Sequence, residues 1–279
     1  MTTRLEALDR FLEATTHYRR ERALATTVVK GERRLARAFR AQSKAVLRRF
    51  VVLKPRFTTT EARLQEDAIR EDDWSVLFSE AEMETLDLFM EPMTAIARAA
   101  LDAGAREAIA DLGVDMSFDL AFPEAIAYVE EHGAALVAQI NETTRTGLRG
   151  ILTEAADSGW SYDKTAEAIN ARYREMAVGR PQEHIESRAH MIATTEAGNG
   201  YEHGNLLVGR RLVAAGVEME KSWLSVGDAR SRKRGDPCPG NQAAGWIPLD
   251  QAFPSGHDRP LAHPACRCAL RQRMKPEEV

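Results

Sequence analysis

The chain has 279 residues, 44% of them apolar, 29% charged and only 6% aromatic, which fits a folded, helix-rich protein and argues against wholesale disorder. No apolar run approaches the ~20 residues that span a bilayer, and charges interrupt the N-terminus too often for a signal-peptide core, so no membrane partner is expected and the setting is the cytoplasm or a particle assembled there. The net charge of −4 hides a division, since residues 1–60 hold 15 Lys/Arg against five Asp/Glu and residues 61–135 hold four against 19, which implies surfaces made for different partners or for each other.

In chain order, residues 3–50 carry Leu5, Leu8, Phe11 and Leu12, then Leu35, Phe39, Val46 and Phe50, at helical spacing. One long basic helix or two in series is predicted, with a break over residues 26–31, where β-branched residues end in Gly31. Lys54-Pro55 closes the segment. Thr58, Thr59 and Thr60 offer caps for a short acidic helix. A longer helix is predicted from about Ser79 towards Gly113, with Pro92 as a kink. Pro123 suits the first turn of the next helix, which Gly133 interrupts before it runs to about Ser158. Ser161 caps a short helix, and residues 181–215 read as a further one. Beyond Gly216 the character changes. Residues 220–226 alternate as a half-buried strand does, and short strands are predicted at 245–248 and 268–273 among Gly and Pro.

The fold class is therefore mainly α, a long-helix N-terminal body with a small α+β, loop-rich C-terminal module. The parts in order are a basic helical arm (1–57), an acidic helical region (58–144) and a C-terminal domain (145–279). A module so poor in apolar sequence needs a metal, or packing against the helical body.

Cys238, Cys266 and Cys268 are the only cysteines. An odd number without a signal peptide does not suggest a disulfide framework. His263, Cys266 and Cys268 place three metal-ligating types within six residues, and Cys238 would close a loop of about 25 residues onto them. Zn2+ favours such S and N ligands in a tetrahedron, and binding would cross-link a core-poor segment. The same residues also read as buried thiols beside a hydrogen-bonded histidine. Cys266 and Cys268 would share one strand face with little freedom to chelate, and Pro264 restrains the backbone. Both readings stay open. His184, His190 and His203 form no i,i+4 pair, so no metal is expected on that helix.

Glu196 and Asp228 resemble a carboxylate pair, but structural roles fit them better. Asp228, after a strand and Gly227, suits a turn. Glu196 could pair with Arg188 or with the module, and Thr195 and Asn199 could tie their helix to the strands. Trp223 and Trp246 are expected to pack the module. With no positioned nucleophile and base in view, no catalytic residue is assigned and no enzyme is expected.

Three runs carry a family likeness: RAHMIATTEA at 188–197 with Asn199, KSWLSVGD at 221–228, and CPGNQAAGWIPL at 238–249 leading through FPSG at 253–256 to HPACRC at 263–268. Together they resemble the C-terminal domain of the phage Mu F-like (head morphogenesis) minor head proteins, over about residues 145–272. Glu196, Asn199, Trp223 and Asp228 fall at its motif positions. The resemblance implies a minor capsid protein of the virion, low in copy number, near the portal vertex and assembled in the host cytoplasm. Its partners would be the portal protein and capsid subunits, and its roles head morphogenesis and DNA packaging or ejection. Relatives commonly have CxxC where this chain has Gly235-Asp236-Pro237-Cys238, so one thiolate is missing, although Cys238, His263, Cys266 and Cys268 still supply four zinc ligands. Arg230, Arg232, Lys233 and Arg234 read either as a solvated loop or as a contact with packaged DNA or an acidic partner face. The alternative function is a non-sequence-specific DNA-binding protein carried in the capsid.

Overall fold

The computed structural model describes residues 4–57, 71–177, 188–226, 236–264 and 266–276. Among these the chain is mainly helical. The helices are α1 (Arg4–Phe50), α2 (Glu71–Leu112), α3 (Pro123–Asp157), α4 (Tyr162–Met176), α5 (Arg188–Ala214) and the short α6 (Cys238–Ala243). Strands β1 (Met219–Leu224), β2 (Trp246–Pro248) and β3 (Ala269–Met274) form an antiparallel sheet in the order β2-β1-β3. No described helix is long and apolar enough to cross a membrane. By contacts the chain divides into two compact units, one of residues 1–30, 95–130 and 191–279, the other of 31–94 and 131–190. This grouping interleaves segments that the sequence reading took in chain order.

The unit of residues 31–94 and 131–190 is a helical bundle. Leu35, Phe39, Val46 and Phe50 of α1, Trp74, Phe78 and Phe89 of α2, Ile140, Leu148 and Leu152 of α3, and Ile169 and Tyr173 of α4 are all buried, each set at helical spacing. Phe39 meets Phe89 edge-on at 5.1 Å. Gln42, fully buried, donates to Thr85 Oγ1 at 3.4 Å and Asn141 Oδ1 at 3.1 Å and accepts from the Tyr173 hydroxyl at 3.3 Å. The residue that interrupts the apolar stripe of α1 is thus a polar link among three other helices. Arg34, Arg48 and Arg49 pair with Glu91, Glu84 and Glu80 across α1 and α2, so part of the charge division is spent inside the chain.

Several expected boundaries move. Helix α1 runs unbroken through residues 26–31, with Gly31 buried in it. A glycine costs a helix only ~1 kcal/mol, less than the packed faces on either side contribute. Helix α2 starts at Glu71 rather than near Ser79 because Trp74 and Phe78 extend its buried stripe upstream, and it continues through Pro92. Helix α3 passes through Gly133 uninterrupted. Pro123 and Ser161 stand as expected: α3 begins at Pro123, and the Ser161 hydroxyl caps α4 by accepting from Lys164 N–H at 3.2 Å. The expected cap at Thr58–60, and Pro181 and His184, lie outside the described residues.

In the other unit the sheet encloses a core of Met219, Trp223, Ile247, Leu249, Phe253 and Leu270, with Leu206 of α5. Trp223 meets Phe253 edge-on at 5.2 Å. The outer edge of β3 is closed by α5: Leu270 N–H donates to Glu202 Oε2 at 2.8 Å, and its carbonyl accepts from Asn205 Nδ2 at 3.1 Å. Side chains thereby satisfy an edge that could otherwise pair with a foreign strand. Glu202 is fully buried and holds Arg20 of α1 at 2.6 Å. Burial raises its carboxyl, and Arg20 and the Leu270 N–H oppose that rise. Arg267 reaches Glu21 of α1 at 3.2 Å, and Arg19 reaches Glu107 and Asp111 of α2. The small module is therefore braced by α1 and α5.

Candidate metal centre

Cys238 sits at the first position of α6. Its N–H donates to Asp236 Oδ1 at 2.8 Å, a local turn that sets the helix start. Helix α6 is pinned by Asn241, fully buried, which donates to Ser255 Oγ at 2.8 Å and accepts from Ser255 N–H at 3.1 Å. Gln242 accepts from Ser225 N–H at 3.0 Å and so ties α6 to the end of β1. His263, Cys266 and Cys268 lie on the segment that enters β3, turned by a bond from Cys266 N–H to the His263 carbonyl at 3.2 Å.

These connections bring Cys238, His263 and Cys266 together, with one ligand atom of each within 4.8 Å of the others. Cys238 Sγ is 3.8 Å from Cys266 Sγ and 3.7 Å from His263 Nε2. Around an ion bound tetrahedrally at ~2.3 Å to sulfur and ~2.1 Å to nitrogen, neighbouring S–S and S–N ligands stand ~3.8 and ~3.6 Å apart. The group can hold a metal ion, with Cys268 beside it. His263 Nδ1–H donates to the Pro264 carbonyl at 3.0 Å, which fixes the tautomer and leaves the Nε2 lone pair facing Cys238. Asp236 Oδ2 lies 3.6 Å from the same Nε2.

The three thiols are buried and unbridged. Contacts from Cys238 and then Cys266 hold Cys268 far below the ordinary thiol value, aided by the Trp223 indole N–H. Cys238 is pushed far above it, first by its contact with Cys266. A bound metal would take these sulfurs as thiolates. Nearby polar atoms fit an anionic sulfur cluster. Trp223 Nε1 is buried without a well-formed hydrogen bond. His17 of α1 donates to the Ser225 carbonyl and keeps its Nε2 buried and unbonded; burial first, then the Arg20 charge, lowers its pKa, against Cys268 and Glu21.

The other sequence candidates fare differently. Trp223 is 1% exposed in the core, and Trp246 is half-buried under Arg271 and Arg273, at 5.3 and 4.3 Å. Glu196 is buried, but Arg188 bonds instead to the Ile140 carbonyl and Thr144 Oγ1. Within α5, Asn199 donates to Glu196 and Thr195 to the Met191 carbonyl. Glu202 and Asn205, one to two turns further on, bond to β3. His257, in the loop after Phe253, is half-buried and shares a hydrogen bond with Ser255 Oγ at 2.9 Å. Asp228, Arg230, Arg232, Lys233 and Arg234 lie outside the described residues. Sequence reasoning missed Asp236, His17, Arg20, Glu202 and Asn205. Only Asp236 had a local signal, an Asx residue two before a helix start. Comparison of the chain with protein-family models, curated proteins and solved structures finds no match.

Proposed function

We propose that the chain is a minor head protein of the Mu F-like kind, a structural part of a phage capsid at the portal vertex, with Zn2+ held by Cys238, His263, Cys266 and Cys268. One observation carries this reading: the large apolar and Cys–His residues of the family-like runs gather in one core, and only Pro248 and Leu249 of those runs line the unit's cavity. Trp223, Cys238, Ile247, Phe253, Cys266 and Cys268 share one buried cluster. The ~620 Å³ cavity of the same unit, lined by Arg210, Met219, Glu220, Pro248, Leu249 and Asp250 among others, includes none of the Cys–His residues.

Zinc suits a donor set of soft sulfurs and one imidazole, has no redox chemistry of its own, and closes such a site with four protein ligands. Its chemistry here is a cross-link between α6 and the segment entering β3. The missing thiolate at Gly235 is offset by Cys268. Elemental analysis of the purified chain is expected to give about one zinc per chain, and a chelator is expected to lower its melting temperature. Binding should weaken as pH falls, because thiols must lose protons to ligate. Far less than one zinc after expression in zinc-replete medium overturns the metal assignment. The head assignment is tested separately, by mass spectrometry of heads purified from the phage that encodes the chain. Low-copy recovery with the portal supports it, and absence from intact heads overturns it.

A second reading, contact with packaged DNA, is favoured by Arg33, Arg37, Arg40 and Lys44, all exposed along one side of α1. Their i, i+4, i+7 spacing suits successive phosphates. Duplex binding is then expected to be indifferent to sequence and to weaken steeply with salt, the slope falling by ~1 for each phosphate-contacting residue removed. No salt-dependent gel shift would exclude it.

A further inference from the structure

Helix α2 carries two apolar faces, and among the described residues only one is covered. Trp74, Phe78, Ala81, Thr85 and Phe89 form the buried one. Val76, Met83 and Leu86 are 57%, 79% and 43% exposed. With the half-buried Ser79 and Met90 they fall at 76, 79, 83, 86 and 90, the alternating three- and four-residue spacing of a coiled-coil seam. The flanks show where the neighbours lie. Glu80, Glu84 and Glu91 reach Arg49, Arg48 and Arg34 of α1 on one side. Glu82 reaches Arg145 of α3 on the other. The seam faces neither helix.

We infer that this seam is a docking site for an amphipathic helix of another protein, with apolar residues along its seam and Lys or Arg beside them. Isolated exposed leucines and valines are common on protein surfaces, but a run at seam spacing on a helix already buried on its other side is not. The charge beside the seam selects the occupant. Glu80 and Asp87 take the position that borders a coiled-coil seam; Glu80 stays 57% exposed while it holds Arg49, and Asp87, exposed, has no ion pair among the described residues. A second copy of this chain would bring the same acids against their own kind, whereas a basic helix pairs with them. The inference stands apart from the head-protein reading, because a synthetic helix can replace the natural partner.

The test uses the full chain and two labelled peptides about four heptads long, with Leu along the seam and either Lys or Glu beside it. The Lys peptide is expected to bind, measured by fluorescence anisotropy, and the Glu peptide to bind at least about tenfold more weakly. Met83→Asp with Leu86→Asp should abolish binding while leaving the circular dichroism and melting temperature unchanged. Glu80→Lys with Asp87→Lys should transfer the preference to the Glu peptide. Equal binding of the two peptides, or of neither, overturns the inference. So does a wild-type chain that sediments as a dimer and becomes a monomer on Met83→Asp with Leu86→Asp, since the occupant would then be a second copy.

Discussion

Glu202 shows how much one side chain can carry. It neutralises Arg20, and it also accepts the Leu270 N–H at the edge of β3. Removing one member of a buried ion pair leaves the other uncompensated, at a cost of ~3–5 kcal/mol. Glu202→Ala is therefore expected to lower stability by about that amount in urea titrations, while Arg20→Met with Glu202→Leu should cost clearly less. Equal losses in the two variants would show that the pair is not what holds the edge. At the metal centre, the test separates ligands from their neighbours. Cys266→Ser and His263→Asn are expected to weaken Zn2+ binding by ~10-fold or more in competition with a chromophoric chelator. His257→Asn should not, because His257 is spent on Ser255.

At the scale of elements, the contact of α2 with α5 depends on two glycines. A Cβ on Gly204 would collide with the Leu101 carbonyl, and one on Gly104 with the Tyr201 carbonyl. Backbone cannot step aside as a side chain tip can, so Gly204→Ala is expected to cost ~3 kcal/mol or more and to leave a loosely packed unit. Gly150, in α3, has nothing within 4 Å of where its Cβ would stand. Gly150→Ala should instead stabilise by ~0.5–1 kcal/mol. The same substitution thus changes sign with its surroundings, and thermal melts of the two variants read the difference directly. Ser161→Ala, which removes the cap of α4, is expected to cost ~1 kcal/mol.

For the whole molecule, removing residues 1–54 takes away Arg20 and Glu21, and with them the ion pairs to Glu202 and Arg267. The truncated chain is expected to lose protease resistance in the module as well as the basic ridge. Retained resistance would show that α5 alone is a sufficient brace. Alkaline pH gives a second test. Burial raises the pKa of Tyr128, Tyr173 and Tyr201 well above the ordinary 10.0. Groups raised on folding contribute stability that is complete below the unfolded value and is lost as pH rises past it. Each tyrosine should therefore cost ~1.4 kcal/mol per pH unit above ~10, since only the unfolded chain ionises freely. Unfolding and phenolate absorbance are expected to rise together above pH ~10. More phenolate than Tyr18 and Tyr162 can supply, in a chain that stays folded, would contradict the burial of these rings.

Local chemistry made much of the fold legible. The helical periodicities of residues 3–50, Pro123 and Ser161 at helix starts, and the alternation that became β1 all act within a few residues, so the chain could display them without its tertiary context. The clustering of Cys238, His263 and Cys266 was legible as a possibility, because residue type and spacing alone limit which atoms can share an ion. What the chain could not display were the partners of its buried charges. Nothing around Arg20 or Glu202 distinguishes them from solvated residues, and Gln42 stood out only as a gap in an apolar stripe, because their roles arise only when helices far apart in sequence exclude water between them. The same holds for the unbroken course of α1 through Gly31 and the early start of α2. There the small local preference for a break is outweighed by apolar faces buried on both sides, and burial is a property of the folded molecule rather than of any segment.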